Sequence, residues 1–141
     1  MIAGRKATAT LTVLGSVTAA IVLGAPQASA AVTRIDIASG LSFGVAPYGT
    51  GCSYTITATA QSGTAVAFYD VDEQGNGTRD SFSTSMPQLD ASGKATTTWR
   101  PITKGQHRIL AQEFPTGDAT ATTNATVGTG INLGIACIVL P

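Results

Sequence analysis

The sequence predicts an all-β fold, an antiparallel β-sandwich of about seven to eight short strands. Three observations lead there. Apolar residues recur at every second position in most segments, the period of a strand with one buried face. Turn-forming residues interrupt the chain roughly every eight to twelve positions. No stretch keeps the 3.6-residue period of an amphipathic helix.

Residues 1–30 read as a cleavable signal peptide. Arg5 and Lys6 precede an uncharged stretch rich in Ala, Thr, Val and Leu that runs to Leu23, followed by Gly24, Pro26 and the small-residue series Ala28-Ser29-Ala30. These are the basic n-region, apolar h-region and A-x-A cleavage site in order. Four threonines and a serine dilute the apolar run, and Pro26 stands where an anchor would carry basic flanks, so a membrane-spanning segment fits less well. The mature chain is expected to start at Ala31, outside the cell or in its envelope, with no membrane span after cleavage.

Residues 31–141 suffice for a single domain with one core. Val32 to Ile37 alternates loosely as a first strand, and Gly40 to Gly51, Gly-rich with Pro47, reads as a loop or short irregular edge. The clearest strand has Cys52, Tyr54, Ile56, Ala58 and Ala60 on one face and Ser53, Thr55, Thr57, Thr59 and Gln61 on the other. After Ser62-Gly63, Ala65 to Val71 is a β-rich run. Asp70 to Asp80, dense in acidic residues, Gly and Asn, reads as a turn or long connection.

Met86 to Leu89 suits an edge, since Pro87 cannot donate to a ladder. Asp90 to Gly93 is a tight turn. Ala95, Thr97 and Trp99 then share one face, as do His107, Ile109 and Ala111 after a turn over Pro101 to Gly105. Thr120 to Val127 is a threonine-rich strand candidate. In residues 128–141, Ile131, Leu133, Ile135, Cys137 and Val139 alternate as an additional C-terminal strand.

Export places Cys52 and Cys137 where disulfides form and persist, and both fall on core-facing rows. One intramolecular pairing is open to them, joining an early strand to the last one. Closing a loop of about 86 residues restricts the unfolded chain by roughly 4.5 kcal/mol on the chain-entropy model.

Three segments carry a resemblance: Val66-Ala67-Phe68-Tyr69-Asp70, then Ala91-Ser92-Gly93-Lys94-Ala95-Thr96-Thr97-Thr98-Trp99, then Pro101 to Ala111 with its Gly105-Gln106-His107-Arg108-Ile109-Leu110-Ala111. In order and spacing, these resemble bacterial immunoglobulin-like repeat domains over about Val32 to Val127. The resemblance implies an immunoglobulin-like β-sandwich found in cell-surface and secreted proteins as a spacer, adhesive or recognition module. This chain departs in holding one copy, and residues 128–141 are extra to the repeat. It also departs from antibody domains, whose cysteines link the second and sixth strands around a tryptophan-bearing third.

Charge narrows the partners. The whole chain has 8 Lys and Arg against 8 Asp and Glu; without Arg5 and Lys6 the remainder is 6 against 8, a formal −2. Without basic clusters it is suited to neither nucleic acid nor an anionic membrane surface. An extracellular protein or polysaccharide is the expected partner.

Catalytic machinery is sparse. His107 is the sole histidine, and in a core-facing register it is expected to cap the sandwich end or bond a loop carbonyl. Zinc lacks ligands, and no cofactor is expected. Asp70, Asp72 and Asn76 form a weak calcium candidate: oxygen ligands alternate and Gly75 takes the sixth position, but the twelfth is Ser81 instead of Glu. Of the rings that could stack on a glycan, Tyr69 and Trp99 have packing duties and Tyr48, in its Gly-rich loop, is expected to be exposed. The N-x-T sequons at Asn76 and Asn124 matter only in a glycosylating host. The leading expectation is a non-enzymatic protein acting by binding or structural association. A secreted inhibitor or toxin-like effector is the alternative, and a small secreted hydrolase the second.

Overall fold

The computed structural model describes residues 31–115 and 120–141, so the expected signal peptide lies outside the described residues. The described chain is entirely β: β1 (Val32–Ile37), β2 (Ser42–Gly44), β3 (Tyr48–Gly49), β4 (Tyr54–Ala60), β5 (Ala65–Val71), β6 (Gly77–Thr78), β7 (Lys94–Trp99), β8 (Gly105–Phe114), β9 (Thr120–Asn132) and β10 (Cys137–Leu140). Three of the ten, β2, β3 and β6, are only two or three residues long, which is why alternation over longer windows did not register them.

The strands form two sheets, one in the order β1-β4-β7 and one in the order β2-β10-β9-β8-β5-β6, with β3 beside β9. The antiparallel sets β1-β4-β7 and β5-β8-β9 reproduce the A-B-E and C-F-G pairings of an immunoglobulin-like β-sandwich. The three segments that carried the family resemblance are β5, β7 with the turn before it, and β8 with the turn before it.

Alternation explains which faces meet. Tyr54, Ile56, Ala58 and Ala60 on β4, Ala95 and Trp99 on β7, and Ile109 and Ala111 on β8 all point into one core with Val66 and Phe68. Their intervening threonines face solvent or the sheet margin, as on β7, where Thr96 and Thr98 are exposed. Pro87 behaves as an edge residue. Its carbonyl accepts the Val66 amide at 3.1 Å, while Ser85 and Thr64 extend the same irregular pairing along β5. Just upstream, Ser81 and Ser83 bond instead to β7 through Arg100 and Thr98, so residues 81–89 cross from one sheet to the other.

Two readings of the sequence are corrected. The stretch Gly40 to Gly51 is not merely a loop: β2 pairs in parallel with β10 and β3 with β9, so the chain leaves the smaller sheet after β1 and borders the larger one. Nor do Ile131 to Val139 form one strand. β9 runs on to Asn132, the chain turns with Leu133 N–H on the Ala136 carbonyl, and β10 returns antiparallel. Position 128 therefore falls inside β9, and the extra C-terminal strand is Cys137–Leu140. The turn changes the face, so Cys137 shares its buried side with Val139 alone, while Ile131, Leu133 and Ile135 are exposed. A local period cannot distinguish a continuous strand from two strands whose residues happen to keep phase across a tight turn.

Cys52 and Cys137 form the disulfide, with Cα atoms 6.1 Å apart. Cys52 stands two residues before β4 and Cys137 opens β10, so the bond joins the smaller sheet to the larger through the interior. Backbones pack tightly beside it. A methyl group on Gly130 would fall on the Thr50 carbonyl and the Cys52 sulfur, so only glycine admits this approach.

Candidate functional site

The histidine is held at one end of the sandwich. Its place on β8, two positions before Ile109, turns it inward, and β5 and β7 bring Asp70 and Trp99 to it. His107 Nδ1 lies 2.6 Å from Asp70 Oδ1, and the Trp99 indole Nε1–H donates to Asp70 Oδ2 at 2.8 Å. His107 Nε2 lies 3.0 Å from the Thr103 carbonyl and 3.2 Å from its hydroxyl. The Asp70 carboxylate and the Thr103 carbonyl only accept, so these two contacts favour a ring protonated on both nitrogens, while the Thr103 hydroxyl can bond Nε2 in either role. The bond to Asp70, together with its charge, holds the His107 pKa above its ordinary value against the opposing effect of burial.

This arrangement has the residue types of an Asp–His–hydroxyl relay, with Asp70 on Nδ1 and the Thr103 hydroxyl near Nε2. The expected bond to a loop carbonyl is present at Thr103. The partnership with Asp70 was not legible, because it spans 37 residues of sequence.

The acidic turn comes together at the same end. Asp70, Asp72, Asn76, Thr78, Thr103 and His107 border a cleft of about 140 Å³. Within it, Asp70 gives its two oxygens to His107 and Trp99. Asp72 accepts from the Asn76 backbone at 2.7 Å and side-chain amide at 3.0 Å, and these bonds lower its pKa. Among the described residues no three His, Cys, Asp or Glu side chains are grouped to hold a metal ion.

Tyr48 is not the exposed ring that its loop suggested. It is half-buried, edge-on to Tyr54 at 5.0 Å and to Trp99 at 5.4 Å, and its hydroxyl bonds the Ile37 carbonyl at 3.3 Å. The β3–β9 pairing carries it inward, a tertiary contact that the loop's composition does not encode. Trp99 is fully buried, and Tyr69 lies under the Arg79 guanidinium, 5.0 Å from its ring centroid.

The feature left for function lies at the other margin, on the outer face of β2, β10 and β9. Cys137 and Val139 point inward, so Ile138 and Leu140 point outward. The register sets Phe43 of β2 and Ile131 of β9 on either side of Ile138. Leu41 and Val45 continue the Phe43 row, and Leu133 and Ile135 occupy the β9–β10 turn. All eight are exposed, from 39% for Ile138 to 89% for Ile135. The surrounding chain adds no charge: no Asp, Glu, Lys, Arg or His occurs from Ile37 to Tyr69 or from Ala119 to Pro141.

Sequence reasoning assigned Ile131, Leu133 and Ile135 to the core and missed this face. A signal was present in Ala136-Cys137-Ile138-Val139-Leu140, where both parities are apolar, as in a strand covered on both sides.

Fold and site together define a disulfide-closed immunoglobulin-like β-sandwich with an apolar outer face on β2, β10 and β9. Among solved structures, the chain is similar to one described as the D00-D0 domain of Intimin, with 23% identity, a TM-score of 0.49, and coverage of 68% of this chain and 46% of that one. The chain thus spans less than half the length of that structure. No protein-family model matches the sequence, and no curated protein matches it.

Proposed function

We propose that this protein is a non-enzymatic immunoglobulin-like module, secreted or held at the cell envelope, that works by associating with another molecule through the outer face of β2, β10 and β9. The observation that carries this reading is the exposure of Phe43, Ile131 and Ile138 side by side on three strands that contain no charged side chain. Contiguous apolar area of this kind marks an association surface. The disulfide directly beneath it, through Cys137, suits an oxidising compartment and keeps the face rigid. Of the two expected partner classes, a protein suits the face better than a polysaccharide, since one phenyl ring among seven aliphatic side chains supplies few of the stacking and hydrogen-bonding groups that sugars need.

The test is fractionation of the producing culture followed by cross-linking, with the native protein beside a Phe43→Glu variant. The expected result is native protein outside the cytoplasm, cross-linked to a protein, and loss of that product in the variant. Protein retained in the cytoplasm, or cross-linking indifferent to Phe43→Glu, would overturn the reading.

A further inference from the structure

The association face identifies the kind of partner it accepts. We infer that a second copy of this chain covers it, in a two-fold dimer that packs the outer faces of β2, β10 and β9 against each other. This rests on the reading of that face as an association surface and adds the occupant.

Charge is the first argument. A partner chosen by electrostatic complementarity would meet charged groups on this face, and the flanking segments contain no charged side chain over Ile37–Tyr69 or Ala119–Pro141. Two copies of an uncharged surface, by contrast, meet without like-charge repulsion.

Area is the second. The eight exposed side chains, Leu41 to Val45 and Ile131 to Leu140, together present on the order of 800 Å², close to what one partner contributes to a standard stable interface. That exceeds the roughly 300–600 Å² of the largest apolar patch on an ordinary monomer.

Shape is the third. Phe43, Ile138 and Ile131 form one row across three hydrogen-bonded strands, so the middle of the face is a continuous sheet surface. A two-fold contact uses the same patch on both molecules, and a sheet face is readily self-complementary. The short strand β2 closes this edge of the larger sheet, and no strand among the described residues pairs with its outer side.

Sedimentation velocity over a concentration series tests the inference, on protein in the form in which its producing cells accumulate it. The expected result is a concentration-dependent monomer–dimer equilibrium. Ile138→Glu and Phe43→Glu should each weaken it by at least about 100-fold, because each would bury unpaired charge at the contact. Both positions face outward, so the thermal midpoint of either variant as a monomer should match that of the native monomer within the effect of an exposed substitution. A dimer indifferent to both substitutions would overturn the inference. So would a monomer at all concentrations, and the culture cross-linking then decides the broader reading. Native cross-links to another protein that Phe43→Glu abolishes would preserve an association face with a different occupant; no such product would remove both.

Discussion

His107 Nδ1 and Asp70 Oδ1 are 2.6 Å apart with only 1% of either side chain exposed, and they join β8 to β5 at the end of the core. The pair borders an apolar core in which Ser81, Thr97 and Glu113 are the other buried polar side chains among the described residues. Its consequences are stability consequences.

The first concerns pH. The folded state raises the His107 pKa above its ordinary 6.5, chiefly through the bond to Asp70. The stabilisation is therefore complete below the unfolded value and is lost as pH rises through the folded one. Melting temperature measured from about pH 6 to about pH 9 should fall on the alkaline side, and His107→Gln, with no titrating ring, should flatten that fall.

Asp70→Asn should be the more damaging substitution. It removes the carboxylate that keeps the His107 pKa raised and sets an amide against the Trp99 N–H or His107. Loss of one partner from a buried pair costs about 3–5 kcal/mol, readable as a lower midpoint in urea.

Trp99 is the sole tryptophan, fully buried and edge-on to Tyr48, so its emission should be blue-shifted in the native protein and move to the red on unfolding. Trp99→Phe removes the Nε1–H that reaches Asp70 Oδ2, and a hydrogen bond to a charged group contributes about 1.5–3 kcal/mol. The loss of ring volume adds to it, and the variant's urea midpoint should fall accordingly.

The Cys52–Cys137 bond spans 85 residues of sequence. Replacing both cysteines with alanine should lower unfolding stability by about 4 kcal/mol, chiefly by freeing the unfolded chain. Intact mass of the oxidised protein should lie about 2 Da below the reduced form, the two thiol hydrogens lost in forming the bond.

Glu113 shares the buried row of Ile109 and Ala111, is 1% exposed, and has no hydrogen-bond partner for either oxygen among the described residues. Its side chain lies against Gly63 in the β4–β5 turn. Glu113→Met, close in volume and without the desolvated carboxyl, should raise stability by about 1–3 kcal/mol. A melting temperature that falls instead would show that the carboxyl has a stabilising role.

What the sequence determined by itself is local. Thr57 beside Ile56, or Thr96 beside Ala95, states which side of a strand is buried, because side chains alternate across a pleat whatever the strand's neighbours are. Alternation of this kind was enough for the sandwich, the long strands, the inward cysteines and the inward histidine. The tertiary structure decided every question of pairing. Leu133-Gly134-Ile135-Ala136 keeps the period of its neighbours yet is a turn, and Tyr48 in a glycine-rich stretch becomes part of the core through β9. Asp70 follows the apolar run of β5 and passes for the start of a solvated turn until β7 and β8 bring Trp99 and His107 to its two oxygens. The outer row of Phe43, Ile138 and Ile131 has the same origin: its members are about 90 residues apart in part of the chain, and only the β2–β10–β9 register makes them one surface.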